Sequence, residues 1–397
     1  MFRESGNPSR RLGLSFAALF AGVAAFPGLT LFSGQVIKQF ESYSIARSMS
    51  EVGFNPYATT IPCDGGIRWV LELPIFAGIG GIFAGIAPEW PSILPTLVFG
   101  LFLFALYRFR ERIAPKSSPL PWFAVATAPV FLRFSTQFLA DPLAVALLLL
   151  GAALFLGGKR AASLLLFLAA VSTKPTVLPS VLFFRWAFAP ERKARSFLPP
   201  SPVKWLAREA LIAVLLVAPF IAWTLSVKWL GVVSPLAESG GILSLGSDWA
   251  ILLEPGFYSK FLNWTIFKGV GFPLFLFAVY AIRSGEERAL RMAAWSIGII
   301  PYWLLVRRLN VVHDYYSLSF FVPIAILGAL GAIRVLAVRS TSAWVVRLFL
   351  FASIAQGTGL FLSSALAHPW RPVVSDRPIF CGTEFRSPSL GAPVENR

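Results

Sequence analysis

The chain has 397 residues, of which 56% are hydrophobic and only 14% are charged, and its mean hydropathy is +0.70. Charged residues make up about a quarter of an ordinary soluble domain, so the composition excludes a water-soluble protein, and the apolar content excludes a disordered one. The net charge of +16 is compatible with nucleic-acid binding only if the basic residues form a patch or stripe on one domain.

Long apolar runs indicate membrane helices. Strands of transmembrane β-barrels alternate apolar and polar residues over segments of about ten, whereas runs such as Leu143–Leu156 and Leu211–Trp223 are continuous. We therefore predict an all-α polytopic membrane protein with about 11 transmembrane helices. The predicted spans are 12–32, 91–107, 121–134, 142–158, 161–173, 175–189, 208–230, 265–282, 290–306, 317–333 and 343–365.

The first span begins like a secretory signal, because Arg10 and Arg11 precede its apolar run. The run from Leu12 to Phe32 is long enough to cross a bilayer, and no small-residue cleavage site of the A-x-A type follows it. The sequence therefore predicts an uncleaved first helix.

The basic residues lie mainly on one side of the predicted membrane. With the N-terminus in the cytoplasm and the sides alternating, the inner segments hold 21 of the 35 Lys and Arg but 6 of the 19 acidic residues. This asymmetry is the positive-inside pattern of a multi-pass plasma-membrane protein, such as one of the bacterial inner membrane. The distribution of positive charge thus indicates how the chain is oriented in the membrane, and we expect no nucleic-acid partner.

The segment 74–88 (PIFAGIGGIFAGIAP) does not fit the alternation. Counting it as a span would move the basic cluster that follows the second span to the outside. We interpret it as a juxtamembrane or re-entrant helix on the outer face. A short tilted span, whose glycines allow close helix packing, stays open as an alternative.

The predicted organisation is a single transmembrane domain over residues 1–365 with outer loops 33–90 and 231–264, followed by an extracytoplasmic tail over 366–397. The two cysteines, Cys63 and Cys381, both fall on the oxidising side under this topology. A disulfide between them and two unpaired thiols are both open. Two histidines in the whole chain exclude a zinc site made of several imidazoles.

Charged residues at membrane depth are costly and tend to be functional. Under the predicted topology, a set of them falls at the outer face, where a carboxylate could act as general base and cations could bind a phosphate. The candidates are Glu41, Glu72, Arg133, Asp141, Lys174, Arg307, Arg308, His313 and Asp314, with Tyr315 and Tyr316 beside them.

Structural interpretations of these residues stay open. Lys174 could extend to the membrane interface, and the two tyrosines could be an interfacial aromatic anchor. The arginines could form structural ion pairs, namely Arg133 with Asp141 and Arg308 with Asp314.

The order of the motifs resembles that of a known family. An acid precedes an I-A-R-x-M stretch, a G-x-N…P…E-x-P run follows, and then come an outer Asp after the third span, a Lys-Pro turn and a late H-x-Y-Y. This order is similar to that of the GT-C superfamily of membrane glycosyltransferases, in the branch of protein O-mannosyltransferases and lipid A aminoarabinose transferases (family 39-like). The matching residues are Glu41, Ile45, Ala46, Arg47, Met49, Gly53, Asn55, Pro62, Glu72, Pro74, Asp141, Lys174, Pro175, His313, Tyr315 and Tyr316.

The resemblance implies a GT-C-like fold with a long first outer loop, juxtamembrane helices and a second large outer loop after the seventh span. It further implies transfer of a sugar from a polyprenyl-phosphate donor, with inversion, to a lipid, glycan or protein acceptor at the extracytoplasmic face. Glu41 would be the catalytic base, where the family usually has Asp, and Arg47 and the other polar candidates would bind substrate.

Two other functions stay open. A transporter or lipid flippase predicts ionisable residues spread through the membrane and paired broken helices, whereas the charges here gather at one face. An inactive scaffold relative in the cell envelope would tolerate replacement of Glu41 and Lys174. A divalent cation is possible, but the sequence has no clustered acidic pair that demands one.

Overall fold

The computed structural model describes residues 8–24, 36–61, 67–68, 73–87, 90–134, 137–189, 201–230, 249–305, 317–337 and 343–367. The predicted tail, most of the second outer loop, Cys63 and Cys381 lie outside these residues, so the proposed disulfide stays a prediction.

The described residues are almost entirely helical, as predicted. One short antiparallel pair between α2 and α3 joins β1 (Thr60–Ile61) to β2 (Ile67–Arg68), with Thr60 opposite Arg68. The helices are α1 (Pro8–Ala24), α2 (Val36–Glu51), α3 (Ile75–Ile86), α4 (Leu94–Ile113), α5 (Pro119–Ala126), α6 (Pro129–Phe134), α7 (Ala140–Leu156), α8 (Arg160–Thr173), α9 (Leu178–Ala187), α10 (Pro202–Trp229), α11 (Pro255–Asn263), α12 (Phe272–Arg283), α13 (Glu287–Ile297), α14 (Ile299–Leu305), α15 (Leu318–Ala337) and α16 (Ala343–Ala367).

Every predicted span contains helix, but several are divided. The span 121–134 is divided between α5 and α6, and the span 290–306 is divided between α13 and α14. Pro129 is the first residue of α6, a position that suits proline because the first turn of a helix does not need its missing N–H. Apolar composition predicted where these helices occur, and the breaks follow from proline and from packing.

Three helical segments of the described chain are long and apolar enough to cross a bilayer alone: Val203–Trp229, Leu318–Ala337 and Ala343–Ser363. A fourth crossing results if Pro255–Val270 and Phe272–Arg283, which meet at a bend of 101°, form one span. The bend lies at Gly271, whose φ of +89° favours glycine. The number of about 11 crossings therefore stays a prediction, although the apolar helices make this an integral membrane protein.

Segment 74–88 forms the helix α3, whose 12 residues extend about 18 Å. This length is well short of the ~30 Å hydrocarbon core. The juxtamembrane interpretation is consistent with this length, and α3 packs against α2.

Helix α15 lies at the centre of the bundle and is buried from Leu318 to Ala332. Its neighbour α12 approaches so closely that a Cβ at Gly328 or Gly331 would overlap the backbone carbonyl of Leu274 or Phe277, respectively. Small residues allow this backbone contact, which is the usual way in which membrane helices associate.

Two arginines of α13 tie together the ends of other helices. Arg288 Nη1 donates a hydrogen bond to the carbonyl of Ile113 at 2.6 Å, and Arg291 Nη1 donates one to the carbonyl of Ala187 at 3.1 Å. These carbonyls belong to the last residues of α4 and α9, where helices lack internal donors and favour cations.

The N-terminus of α1 and the C-terminus of α7 lie at the same end. Arg110 Nη1 donates a hydrogen bond to Ser9 Oγ at 2.9 Å, and the guanidinium of Arg112 lies against Gly157, directly after α7. We call this the basic end of the bundle. The segments predicted to be cytoplasmic thus contribute residues to one end.

Candidate active site

Asp141 lies in the first turn of α7. Leu139, the residue before the helix, is extended (φ −128°, ψ 147°), and Pro142 lies within the first turn, where proline is tolerated. A carboxylate in the first turn is stabilised by the free N–H groups and dipole of the helix. The local sequence thus places Asp141 at the end of α7 that is opposite to the basic end.

Lys174 lies where α8 ends. Its backbone is extended (φ −150°, ψ 104°) because the next residue is Pro175, and a proline disfavours helical backbone in the residue before it. The Lys174 N–H still donates to the carbonyl of Ala170 at 2.9 Å, so Lys174 closes the last turn of α8. The Lys-Pro turn noted in the sequence is therefore a sharp break between α8 and the short helical turn before α9.

Asp141 and Lys174 form a buried ion pair. Lys174 Nζ lies 3.4 Å from Asp141 Oδ2, and the two side chains are only 2% and 5% exposed, respectively. This burial is inconsistent with the interpretation of Lys174 as a lysine extending to the membrane interface, which leaves the ammonium in water. A buried charge is expected to have a partner, because taking an ion out of water costs several kcal/mol. Removing one partner of a buried ion pair destabilises a protein by about 3–5 kcal/mol.

A small cavity adjoins this pair. Its volume is about 30 Å³, enough for one or two water molecules and too small for a sugar. It lies next to Ala140 and Thr173, which precede the paired residues, and next to Ser42, which follows Glu41 in α2. The lining residues are Ser42, Ile45, Pro56, Thr59, Leu73, Pro74, Phe76, Ala77, Ala140 and Thr173.

The fully buried Phe138 joins α2 and α3 to the start of α7. Its ring centroid is 5.6 Å from that of Tyr43 in α2 and 4.7 Å from that of Phe76 in α3. A Cβ on Gly80 would come 2.8 Å from Phe138 Cζ and 2.9 Å from Ala46 Cβ, so glycine is required for this contact. The glycines of 74–88 do serve close packing, as the alternative interpretation of that segment supposed.

A second contact joins the segment after α2 to α10. The ring of Tyr57 stacks on Trp223 with centroids 4.9 Å apart, and its hydroxyl lies 2.9 Å from Ser226 Oγ. Sequence analysis did not single out Tyr57 or Phe138. Their partners lie far away in the chain, and an aromatic residue in an aromatic-rich sequence carries no local signal.

The structure describes the side chains of two further candidates. Arg47 is exposed on α2, and Arg133 is half-buried in α6 with its guanidinium carbon 5.3 Å from the ring centroid of Phe134. The backbone of Glu41 belongs to α2, but its side chain lies outside the described structure. Also outside it are Glu72, Arg307, Arg308, His313, Asp314, Tyr315 and Tyr316.

Within the described ranges, no three side chains of His, Cys, Asp or Glu come together as a metal site would require. Among the candidate residues whose side chains are described, Asp141 and Lys174 are joined by an ion pair. They provide a fixed buried cation and a carboxylate close to the helix that carries Glu41.

The sequence matches no protein-family model and no curated protein. Solved structures do match. ArnT from Cupriavidus metallidurans, solved with undecaprenyl phosphate bound, superposes with a TM-score of 0.58 at 15% identity, over 89% of this chain and 76% of ArnT. The Archaeoglobus fulgidus oligosaccharyltransferase, solved with Zn and sulfate, superposes with a TM-score of 0.53 at 14% identity, over 90% of this chain but 53% of its own.

Both of these proteins are members of the GT-C superfamily. The chain has the GT-C fold. The resemblance inferred from the sequence motifs is thereby confirmed at the level of the fold, since the match extends over about nine-tenths of the chain. At 14–15% identity, a GT-C fold says nothing of donor or acceptor, because one fold hosts many activities.

Proposed function

We propose that this protein is a membrane glycosyltransferase that uses a polyprenyl-phosphate sugar as donor. The observation that carries the proposal is the buried Asp141–Lys174 pair beside a cavity that α2, the helix of Glu41, also lines, within a GT-C fold. The ArnT structure with undecaprenyl phosphate bound supports a polyprenyl carrier. The acceptor is a lipid, a glycan or a protein on the extracytoplasmic side of the plasma membrane.

In the proposed reaction, an acceptor hydroxyl attacks the anomeric carbon from the side opposite to the phosphate. The new C–O bond forms as the bond from the anomeric carbon to the phosphate oxygen breaks, so the configuration inverts. Glu41 takes the hydroxyl proton, and the polyprenyl phosphate leaves with the electron pair of the broken bond. A positioned base of this kind contributes about 10²–10⁴ in rate.

The charge that grows on the leaving phosphate requires cations fixed in advance. Lys174 is suited to this role because Asp141 holds its ammonium group in place and no side-chain ordering is needed during the reaction. His313 and Arg307 would complete the phosphate site. The other proposed substrate contacts are Arg47, Glu72, Arg133, Asp141, Asp314, Tyr315 and Tyr316.

The cavity of about 30 Å³ does not hold a sugar, so we place only the attacking and leaving groups of the reaction near it, and the rest of the donor outside it. The lipid tail in the bilayer would hold the head group at a constant depth. This lowers the entropic cost of bringing the donor to the site.

The test is a transfer assay with purified protein in lipid, a panel of radiolabelled polyprenyl-phosphate sugars and a membrane extract as acceptor. We expect transfer by the wild type, a loss of about 10²–10⁴ for Glu41→Gln, and a loss of about 10²–10³ for Lys174→Ala. Matched controls are Glu51→Gln, an exposed acid of α2, and Lys159→Ala, an exposed lysine just before α8; both should retain transfer.

Because Lys174→Ala leaves Asp141 buried without its cation, the double variant Asp141→Asn/Lys174→Met is measured beside it. A folded double variant that still transfers sugar at the wild-type rate would contradict the role of Lys174. Movement of a labelled carrier across vesicles by the wild type, without transfer, would favour the flippase. Paired broken helices are the mark of that alternative, and the described residues show one bent pair.

A further inference from the structure

The segment Pro255–Val270 does not run along the axis of the bundle. It continues from α11 into a π-helical stretch and meets α12 at a bend of 101°. Helix α12 runs parallel to the central helix α15, since Gly328 of α15 lies against Leu274 and Gly331 lies against Phe277. The segment Pro255–Val270 therefore lies roughly at right angles to these two helices, and we call it the transverse segment.

The transverse segment lies near the end of α15 that is opposite to the basic end. A Cβ on Gly269 would come 3.0 Å from the ring of Phe321, three residues after the first residue of α15, whereas Arg334 near the other end of α15 pairs with Glu286 just before α13. The 20 residues of α15 extend about 30 Å, the thickness of the hydrocarbon core. Three residues correspond to about 4.5 Å, so the transverse segment lies close to the membrane boundary, where interfacial helices occur.

One side of the transverse segment packs on the bundle. The ring centroids of Phe257 and Phe261 lie 5.6 and 4.7 Å, respectively, from that of Trp303 in α14. Thr265 and Gly269 continue this side at the same spacing of four residues, and both are buried. This row is therefore the contact of the segment with other helices.

A second side is apolar but exposed. Tyr258, Leu262 and Phe267, about one turn apart, are each about half exposed. Phe267 stacks on Phe272 at the start of α12 with ring centroids 5.8 Å apart, and Phe272 and Leu276 are themselves exposed on α12. The exposed apolar surface of α12 thus continues along the transverse segment.

The third side is polar and basic. Ser259, Lys260, Asn263 and Lys268 are exposed, and the two lysines are about two turns apart. Among the ion pairs of the described residues, none includes either lysine. The transverse segment itself contains no acidic residue, and Glu254 precedes it at the N-terminus of α11, where a carboxylate is favoured.

We propose that the transverse segment is an interfacial helix that binds the surface of the bilayer at the end of the bundle that holds Asp141. Tyr258, Leu262 and Phe267 lie among the acyl chains, and Lys260 and Lys268 contact lipid phosphates. A helix with an aromatic and leucine side next to a lysine side is typical of segments that lie in the plane of the interface. The lipid surface fits this helix because its acyl chains match the apolar row and its anionic head groups match the unpaired lysines.

The first test labels the wild-type protein in nanodiscs of phosphatidylcholine and phosphatidylglycerol, so it does not depend on a variant folding. A phosphatidylcholine with a photoactivatable group on its acyl chain should label Tyr258, Leu262 and Phe267. A charged amine reagent that stays in water should modify Lys260 and Lys268.

The control for lipid contact is Leu276, an exposed residue of α12 that the lipid reagent should also label. If Leu276 is labelled but the apolar row of the transverse segment is not, water or protein covers that row and the proposal is overturned. Lysines that do not react would overturn it too, because the segment would then lie inside the membrane.

The second test compares two neighbouring exposed residues, each replaced by aspartate, so that neither variant loses a buried protein contact. Leu262→Asp places a charge among acyl chains and should lower the midpoint of thermal unfolding in nanodiscs. Asn263→Asp places the same charge on the polar side and should leave the midpoint unchanged. Equal midpoints would contradict the proposal. Neither test depends on sugar transfer.

Discussion

Lys174 Nζ lies 3.4 Å from Asp141 Oδ2, and the two residues come from helix ends that the chain separates by more than thirty positions. Asp141 begins α7, and Lys174 follows the antiparallel α8, so the α7–α8 hairpin brings them together. The pair stands beside the cavity that α2 also lines, and it is the basis of the first prediction.

Replacing one residue of the Asp141–Lys174 pair should destabilise the protein more than replacing both. Asp141→Asn leaves the ammonium of Lys174 buried without its counter-charge, and we expect it to lower the free energy of unfolding by about 3–5 kcal/mol. The double variant Asp141→Asn/Lys174→Met should recover most of this loss. Unfolding of purified protein in detergent, followed by circular dichroism, measures both; a single variant as stable as the wild type would refute the importance of the pair.

A second buried pair should behave in the same way at the basic end. Arg185 Nε and Nη2 lie 2.6 and 3.0 Å from Glu209 Oε2 and Oε1, and both side chains are buried. Glu209→Ala should therefore cost about 3–5 kcal/mol, and Arg185→Lys, which cannot form both bonds, should also be less stable than the wild type.

The control for this prediction is Glu287, an exposed acid joined to Arg291 at 2.9 Å across one turn of α13. Because Glu287 is 64% exposed, Glu287→Ala should change stability by less than about 1 kcal/mol. If Glu209→Ala and Glu287→Ala lowered the free energy of unfolding equally, burial would not determine how much an ion pair contributes to stability.

Two glycines in α16 should respond oppositely to alanine. A Cβ on Gly357 would overlap the backbone carbonyl of Thr127, so Gly357→Ala forces α16 away from α5 and should cost about 1–3 kcal/mol. Gly359 has nothing within 4 Å, and Gly359→Ala should be neutral or stabilise the helix by up to about 1 kcal/mol. Thermal unfolding compares the two; a stable Gly357→Ala protein would contradict the close approach.

Phe138 should affect both stability and the proposed transfer. Phe138→Ala removes the buried ring that holds α2 and α3 against the start of α7, at a cost of about 3–5 kcal/mol. Phe167→Ala, which removes a buried ring of α8 packed on Gly151, should cost a similar amount. At a temperature where both are folded, only Phe138→Ala should lower the rate of sugar transfer, because it alone releases the helix that carries Glu41.

Sequence patterns predicted the individual helices well because each depends on its own residues. Continuous apolar runs predicted helix in every span, and the Lys-Pro turn at Lys174 appears as a break because proline restricts the residue before it. The bend at Gly271 and the division at Pro129 were not predicted, because a glycine or proline within an apolar run is also tolerated in an unbroken membrane helix.

Composition and continuous apolar runs were enough to predict a helical membrane protein, and the order of the motifs indicated the GT-C fold that the structural comparison shows. Those properties follow from composition and short-range pattern. The packing of the helices, in contrast, brings Lys174 against Asp141, joins α2 to α7 through Phe138, and leaves an apolar groove between α1 and α4. Each of these contacts joins residues of different helices, so it depends on how the helices pack, which no local pattern encodes.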